Sequence, residues 1–272
     1  MKTIIIFLLS LLLVLLNVSC TEVVDIALET SQERLIIDAA INWEKETAGN
    51  NQTIILTKTA SYYNEDIIYA KGANVSIIDQ DNTIYVFEET DDGVYVTSSF
   101  IPQFGIDYTL IIKYEEEVFT ATEQFVPTST IDLIVQSTDL GFSVAIPEVT
   151  MIFQDNPESK DYYKTKMINT RTKEYDTYFF DDEFWDGNDA AVWFERENMQ
   201  TGDEIECYVY GISKRFQKYG DKIWNLSGNK GGPFTTPPIN IKGNCTNTTK
   251  YENYPYGYFT MSEYAKAVYL FE

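Results

Sequence analysis

The chain has 272 residues and a formal net charge of −22, with 42 acidic residues against 20 basic ones. It contains no histidine, which removes Ser/His/Asp and Cys/His catalysis together with the commonest metal ligand. No cluster of Lys or Arg interrupts the acidity, so nucleic acid and anionic lipid headgroups are disfavoured as partners by repulsion.

At the amino end Lys2 is the only charge in residues 1–19, and residues 4–16 are apolar apart from Ser10. A basic start followed by an apolar stretch too short to span a bilayer comfortably reads as an export signal. Asn17, Val18 and Ser19 precede Cys20, small or β-branched residues of the kind lipoprotein signal peptidase accepts, and no Ala-x-Ala site offers an ordinary cut. The expectation is cleavage after Ser19 and acylation of Cys20. The acyl chains, at about 0.8 kcal/mol per buried methylene, would hold the protein on a membrane surface. Residues 20–33 are acidic and aperiodic, as suits a tether.

From Leu35 onward, short β-branched and aromatic runs alternate with Asn, Asp and Gly. Runs at 35–41, 53–59, 74–78, 84–88, 94–98, 108–114 and 118–125 predict seven strands. Asp79, Gln80, Asp81 and Asn82 separate two of them, and Asp92 with Gly93 supplies the positive-φ pair of a tight hairpin. Asp79, Asp81, Asp91 and Asp92 are turn chemistry first, and a calcium site only if the loops converge. Residues 105–110, Gly-Ile-Asp-Tyr-Thr-Leu, resemble the corner of immunoglobulin-like domains where a tyrosine hydroxyl caps the turn. Residues 34–128 are therefore read as an immunoglobulin-like β-sandwich.

Residues 129–272 read as a second β-rich domain, with strands at 131–136, 143–153, 162–169 and 204–210. One helix is predicted near 212–225, because Ile212, Phe216, Tyr219, Ile223 and Trp224 recur on one helical face. Ser213 suits its amino cap and Gly220 weakens its middle. That face is expected to pack on the domain's own sheet. A Gly- and Pro-rich loop follows, then strands at 239–242, 258–260 and 267–271. The predicted fold class is mostly β: an immunoglobulin-like sandwich followed by a β-rich domain with one short helix.

Candidates for chemistry are few. Cys207 and Cys245 are left after Cys20, and in an exported chain both a disulfide and two free thiols are open. The densest acidic and aromatic stretch runs from Tyr178 to Asp189. An EF-hand loop with Gly187 in sixth place needs an oxygen ligand at Phe184 and a Glu at Trp193, and has neither. Asp182 and Asp186 would serve a glycosidase only if they faced each other across a sugar, about 5 to 9 Å apart. No catalytic residue, metal or cofactor is expected. Tyr and Trp offer flat faces with a polar tip, so Trp185, Trp193, Tyr251, Tyr254 and Tyr256 are the candidate binding surface. The alternative is that these aromatics pack the β core.

Residues 71–79, Lys-Gly-Ala-Asn-Val-Ser-Ile-Ile-Asp, are similar to a strand of a family of Bacteroidetes lipoproteins catalogued as domain of unknown function 4249. Further landmarks follow in the same order: Asp92, Gly93, Val94 and Tyr95, then 105–110, then 153–157 with Tyr162 and Tyr163, then 239–244 and 257–259. The resemblance implies a two-part β-rich lipoprotein of the outer membrane, often associated with TonB-dependent receptors and without established enzymatic residues. Only the lipidated cysteine carries over. The expected role is a non-enzymatic accessory or ligand-capture component of TonB-dependent uptake, facing either the periplasm or the cell exterior. A surface adhesin or structural module is the alternative, and a carboxylate-based glycan hydrolase a third reading.

Overall fold

The computed structural model describes residues 32–60, 66–137, 146–228 and 241–272. The export signal, Cys20 and nearly all of the tether lie outside the described residues, as do residues 239 and 240 of one predicted strand. No helix of the described residues is long and apolar enough to cross a membrane.

The first sandwich follows from residues that alternate with period two. In β1 (Leu35–Glu44), Leu35, Ile37, Ala39 and Ile41 point inward while Asp38 points out. The same alternation buries Ile54 and Leu56 of β2 (Gln52–Lys58), Val75 and Ile77 of β4 (Asn74–Asp79), and Tyr85 and Phe87 of β5 (Ile84–Asp91). β6 (Val94–Thr97) contributes Tyr95, β7 (Tyr108–Tyr114) contributes Leu110 and Ile112, and β8 (Glu117–Glu123) contributes Phe119. A two-residue β3 (Ile68–Tyr69) pairs with β2.

The Tyr108 hydroxyl donates to the Ile101 carbonyl at 2.9 Å, and its fully buried ring packs on Phe100 and Phe125 at 5.3 and 5.7 Å between centroids. This is the corner expected from the sequence. Removing the hydroxyl in Tyr108→Phe should lower stability by about 1 to 2 kcal/mol, since the carbonyl loses its donor, and a urea unfolding midpoint will show it.

The turns spend their acidic residues locally. Asp79 accepts the amides of Asp81 and Thr83 at 2.9 and 2.8 Å, and Asn82 takes a φ of 65°. Burial pushes the Asp79 carboxyl up, but these hydrogen bonds outweigh it and hold the group below its usual range. Asp92 instead pairs with Lys71 at 2.6 Å. At the β5–β6 hairpin only Gly93 has positive φ, at 67°, rather than both turn residues, and the register shifts between Glu89 and Asp91. A bulge thus supplies the twist that a doubly positive turn would have supplied.

The second core lies between a three-stranded sheet and the end of the large one. β9 (Leu133–Ser137), β10 (Glu148–Gln154) and β13 (Asp189–Glu195) form the small sheet in the order β13-β10-β9. Against it stand β11 (Tyr162–Asn169), β12 (Tyr175–Asp181) and β14 (Glu204–Gly211), with Met151, Phe153, Tyr163, Phe194 and Val209 buried. β15 (Thr246–Asn247) pairs with β8.

One long strand, β16 (Tyr256–Leu270), replaces the two predicted near the carboxyl end. It runs parallel to β1 from Tyr256 to Tyr264, then antiparallel to β14 from Tyr264 to Leu270. The large sheet therefore reads β12-β11-β14-β16-β1-β2-β6-β5-β4-β7-β8-β15, with β3 on β2. The predicted boundary after residue 128 separates the two cores only in part, because Cys245, Phe259 and Met261 return to the first.

The disulfide left open by the sequence is not formed. Both thiols are free and buried. Cys207 belongs to the second core and Cys245 to the first, so their side chains are committed to different interiors. Burial pushes each thiol up to about 12, which leaves little thiolate for oxidation near neutral pH.

Candidate binding cleft

The predicted helix is α1 (Lys214–Gly228). The Ser213 hydroxyl accepts the Phe216 amide at 3.2 Å and caps it. Most of its contacts are with β12 and β11. Phe216 and Tyr219 pack on Tyr258 at 5.0 and 4.7 Å, and Phe216 meets Phe179 at 6.0 Å. Gly220 is needed here for its missing side chain, since a Cβ would lie 2.2 Å from the Phe179 ring. The helix rests on the outer face of the large sheet, the face turned away from both cores.

A cleft of about 540 Å³ lies between α1 and that face. Its wall is formed by Phe216, Tyr219, Ile223 and Trp224. Its floor takes alternate residues from neighbouring strands: Ile36, Asp38 and Ala40 from β1, Lys164 and Lys166 from β11, Thr177 and Phe179 from β12, and Tyr258 and Thr260 from β16. The first turns of the helix are packed down. Ile223 and Trp224, by contrast, remain 42 % and 37 % exposed, so the apolar face opens toward the cleft at its carboxyl end.

Two ammonium groups and one carboxylate share this apolar setting. Burial holds Lys164 below the usual lysine range, Lys166 adds to the effect, and Asp38 opposes it. Burial raises Asp38, with Lys164 opposing. The pair does not close into an ion pair, and the Lys164 ammonium makes no hydrogen bond to any described residue. Its neighbour is the Tyr210 ring, 4.7 Å away. Lys166 lies 5.2 Å over Tyr175. The Tyr258 hydroxyl is buried near Ser213 and Arg215 but has hydrogen-bonding geometry with neither. Apolar walls with a few convergent polar groups of shifted pKa are the usual composition of a small-molecule site.

The acidic stretch has a different use. Carboxylate oxygens of Asp155, Asp182 and Asp186 lie within 4.8 Å of one another, close enough to hold a cation. The two buried members are already engaged. Asp155 accepts the Tyr163 hydroxyl at 2.7 Å and the Gly187 amide at 2.9 Å. Asp182 accepts Lys160 at 2.7 Å and the Asp161 amide, and these outweigh burial to hold it below its usual range. The carboxylates thus bind together the segments around 155, 161 and 182–187. Oxygens of Asp182 and Asp186 lie within 4.8 Å of each other, and Asp182 is held in place by Lys160 and the Asp161 amide.

The aromatics singled out in the sequence are dispersed. Trp185 is half-buried against Phe180 at 5.3 Å and packs on the second core. Trp193 is half-buried on β13. Tyr251 is exposed, while Tyr254 lies under Arg34 and Lys242 at 3.9 and 3.5 Å and meets Tyr256 at 5.6 Å. None of the five lines the cleft. Of the cleft residues, the helical face is legible in the sequence, and so is Tyr258, the last tyrosine of the 251–258 cluster. Lys164 and Lys166 carry a fainter signal: two lysines at i and i+2 of a strand share one face.

Comparison with curated proteins finds no match. Among solved structures, a DUF4785 family protein from Legionella pneumophila aligns at 7% identity and a TM-score of 0.24, over 65% of this chain and 51% of that one, so the chain spans about half its length. A two-domain fibronectin type-III segment of chicken tenascin aligns at 13% identity and a TM-score of 0.21, over 58% of this chain and 83% of that one. The model of one family matches residues 21–267, and the chain belongs to that family, described as domain of unknown function 4249 (DUF4249).

Proposed function

We propose that the protein is a non-enzymatic lipoprotein of the outer membrane, anchored by acyl chains on Cys20, that captures a small ligand as an accessory of a TonB-dependent receptor. The observation that carries the capture role is the cleft under α1. It is bounded by an apolar helix face whose Ile223 and Trp224 remain partly exposed, and its lining carries Lys164, Lys166 and Asp38, which close no ion pair with one another. The acidic tether and the sequence around Cys20 support the anchored part of the reading.

Affinity purification of the tagged lipoprotein from solubilised outer membranes should recover a receptor barrel. Repeated failure with chemical crosslinking in place would refute the receptor partnership. In a Cys20→Ala chain the fatty-acid label should disappear and the precursor should stay uncleaved or soluble. Acylation that persists in that variant would remove the anchor from the proposal.

A further inference from the structure

We infer that the cleft under α1 takes a small, flat, apolar molecule bearing a single negative charge, a carboxylate being the group that fits best. This rests on the capture reading above and specifies its ligand.

The volume sets the size class. About 540 Å³ lies inside the range of small-molecule sites. The side chains set the body of the ligand. Phe179, Tyr219 and Trp224 offer aromatic faces, and Ile36 and Ile223 add aliphatic surface.

Charge sets the rest. In a chain of net charge −22, this cleft collects two lysines against one aspartate. Asp38 offsets one ammonium, which leaves room for one further negative charge. Lys164 is the anchor. Its half-buried ammonium lies 4.7 Å from the Tyr210 ring and has no hydrogen-bond acceptor among the described residues, and an incoming carboxylate would supply one. Lys166, two residues along the same strand face, adds a second positive charge to the lining.

The test is photolabelling of the full lipoprotein in detergent with two probes of the same shape, benzophenone-4-carboxylate and 4-(hydroxymethyl)benzophenone, followed by peptide mapping. The carboxylate should label peptides of α1 and β12 about ten-fold more efficiently than the alcohol, the yield of one charge-assisted hydrogen bond. Lys164→Met should abolish the preference and Lys164→Arg should keep it, with both variants checked for unchanged thermal unfolding. Equal labelling of the cleft by both probes would overturn the anion requirement and leave the capture reading intact. Absence of cleft labelling by either probe would defeat both. Crosslinked dimers joined through α1 would place a second copy of the chain there and likewise overturn the inference.

Discussion

Gly257→Ala is expected to destabilise the protein by about 3 to 5 kcal/mol. Gly257 stands at the start of β16 with φ of 87°, a conformation that side chains rarely adopt. An added Cβ would also lie 2.0 Å from the Ile37 carbonyl oxygen, at the point where β16 pairs with β1. Neither strand can move freely. β1 carries core residues on one face and the cleft floor on the other, and Gly243 already stands close against the Gly257 carbonyl. Gly105→Ala is the control: its φ is 76°, yet its Cβ would meet nothing within 4 Å. That variant should cost only the backbone strain, about 1 kcal/mol. Urea midpoints that coincide for the two variants would show that the β1–β16 contact is not what limits stability.

The second large effect concerns Asp203, and Asp203→Ala should cost about 2 to 3 kcal/mol. Its side chain is 3% accessible although it lies just beneath the surface, and it accepts Arg171 and Asn169 at 2.7 Å and the Gln200 amide at 3.1 Å. Asn169 is fully buried, so most of the loss is an orphaned donor. Screening at the exposed Arg171 discounts the ion pair itself. The hydrogen bond from Arg171 holds the carboxyl well below its usual range, burial opposes this, and Asn169 and Gln200 reinforce it.

A depressed carboxyl pKa means that the unfolded chain binds the proton more readily. The stabilisation is therefore complete above the unfolded value, near about 3.9, and drains away as pH falls through the folded value. Wild-type protein should lose stability in acid more steeply than Asp203→Ala does. Parallel acid limbs for the two proteins would remove Asp203 from the account.

Legibility differed between the two halves for physical reasons. The strands of the first sandwich were readable because each has one solvated face, so polar and apolar residues alternate as in 35–41 and 108–114. β12 and β13 were not. Phe179 and Phe180 are adjacent, one facing the helix and the other the second core, and a strand covered on both faces loses its alternation. The continuity of β16 was hidden by Glu263, a carboxylate 6% exposed in the middle of the strand. Lys45 at 2.8 Å and the Thr128 amide at 2.8 Å satisfy it there. Both partners are remote in sequence, so nothing local announced that a charge could be buried.

What the sequence by itself determined is local: the β class, the tyrosine corner at Tyr108, the Ser213 cap, the apolar stripe of α1 and the family landmarks. Each depends on residues within one or two turns or strands, where spacing translates directly into geometry. The tertiary structure alone decided that β16 joins both cores, that Cys207 and Cys245 stay apart, and that Asp38, Lys164 and Trp224 share one cleft. Those outcomes depend on which strands become neighbours. Strand order is set by the burial of two whole cores at once, and no window of sequence contains that information.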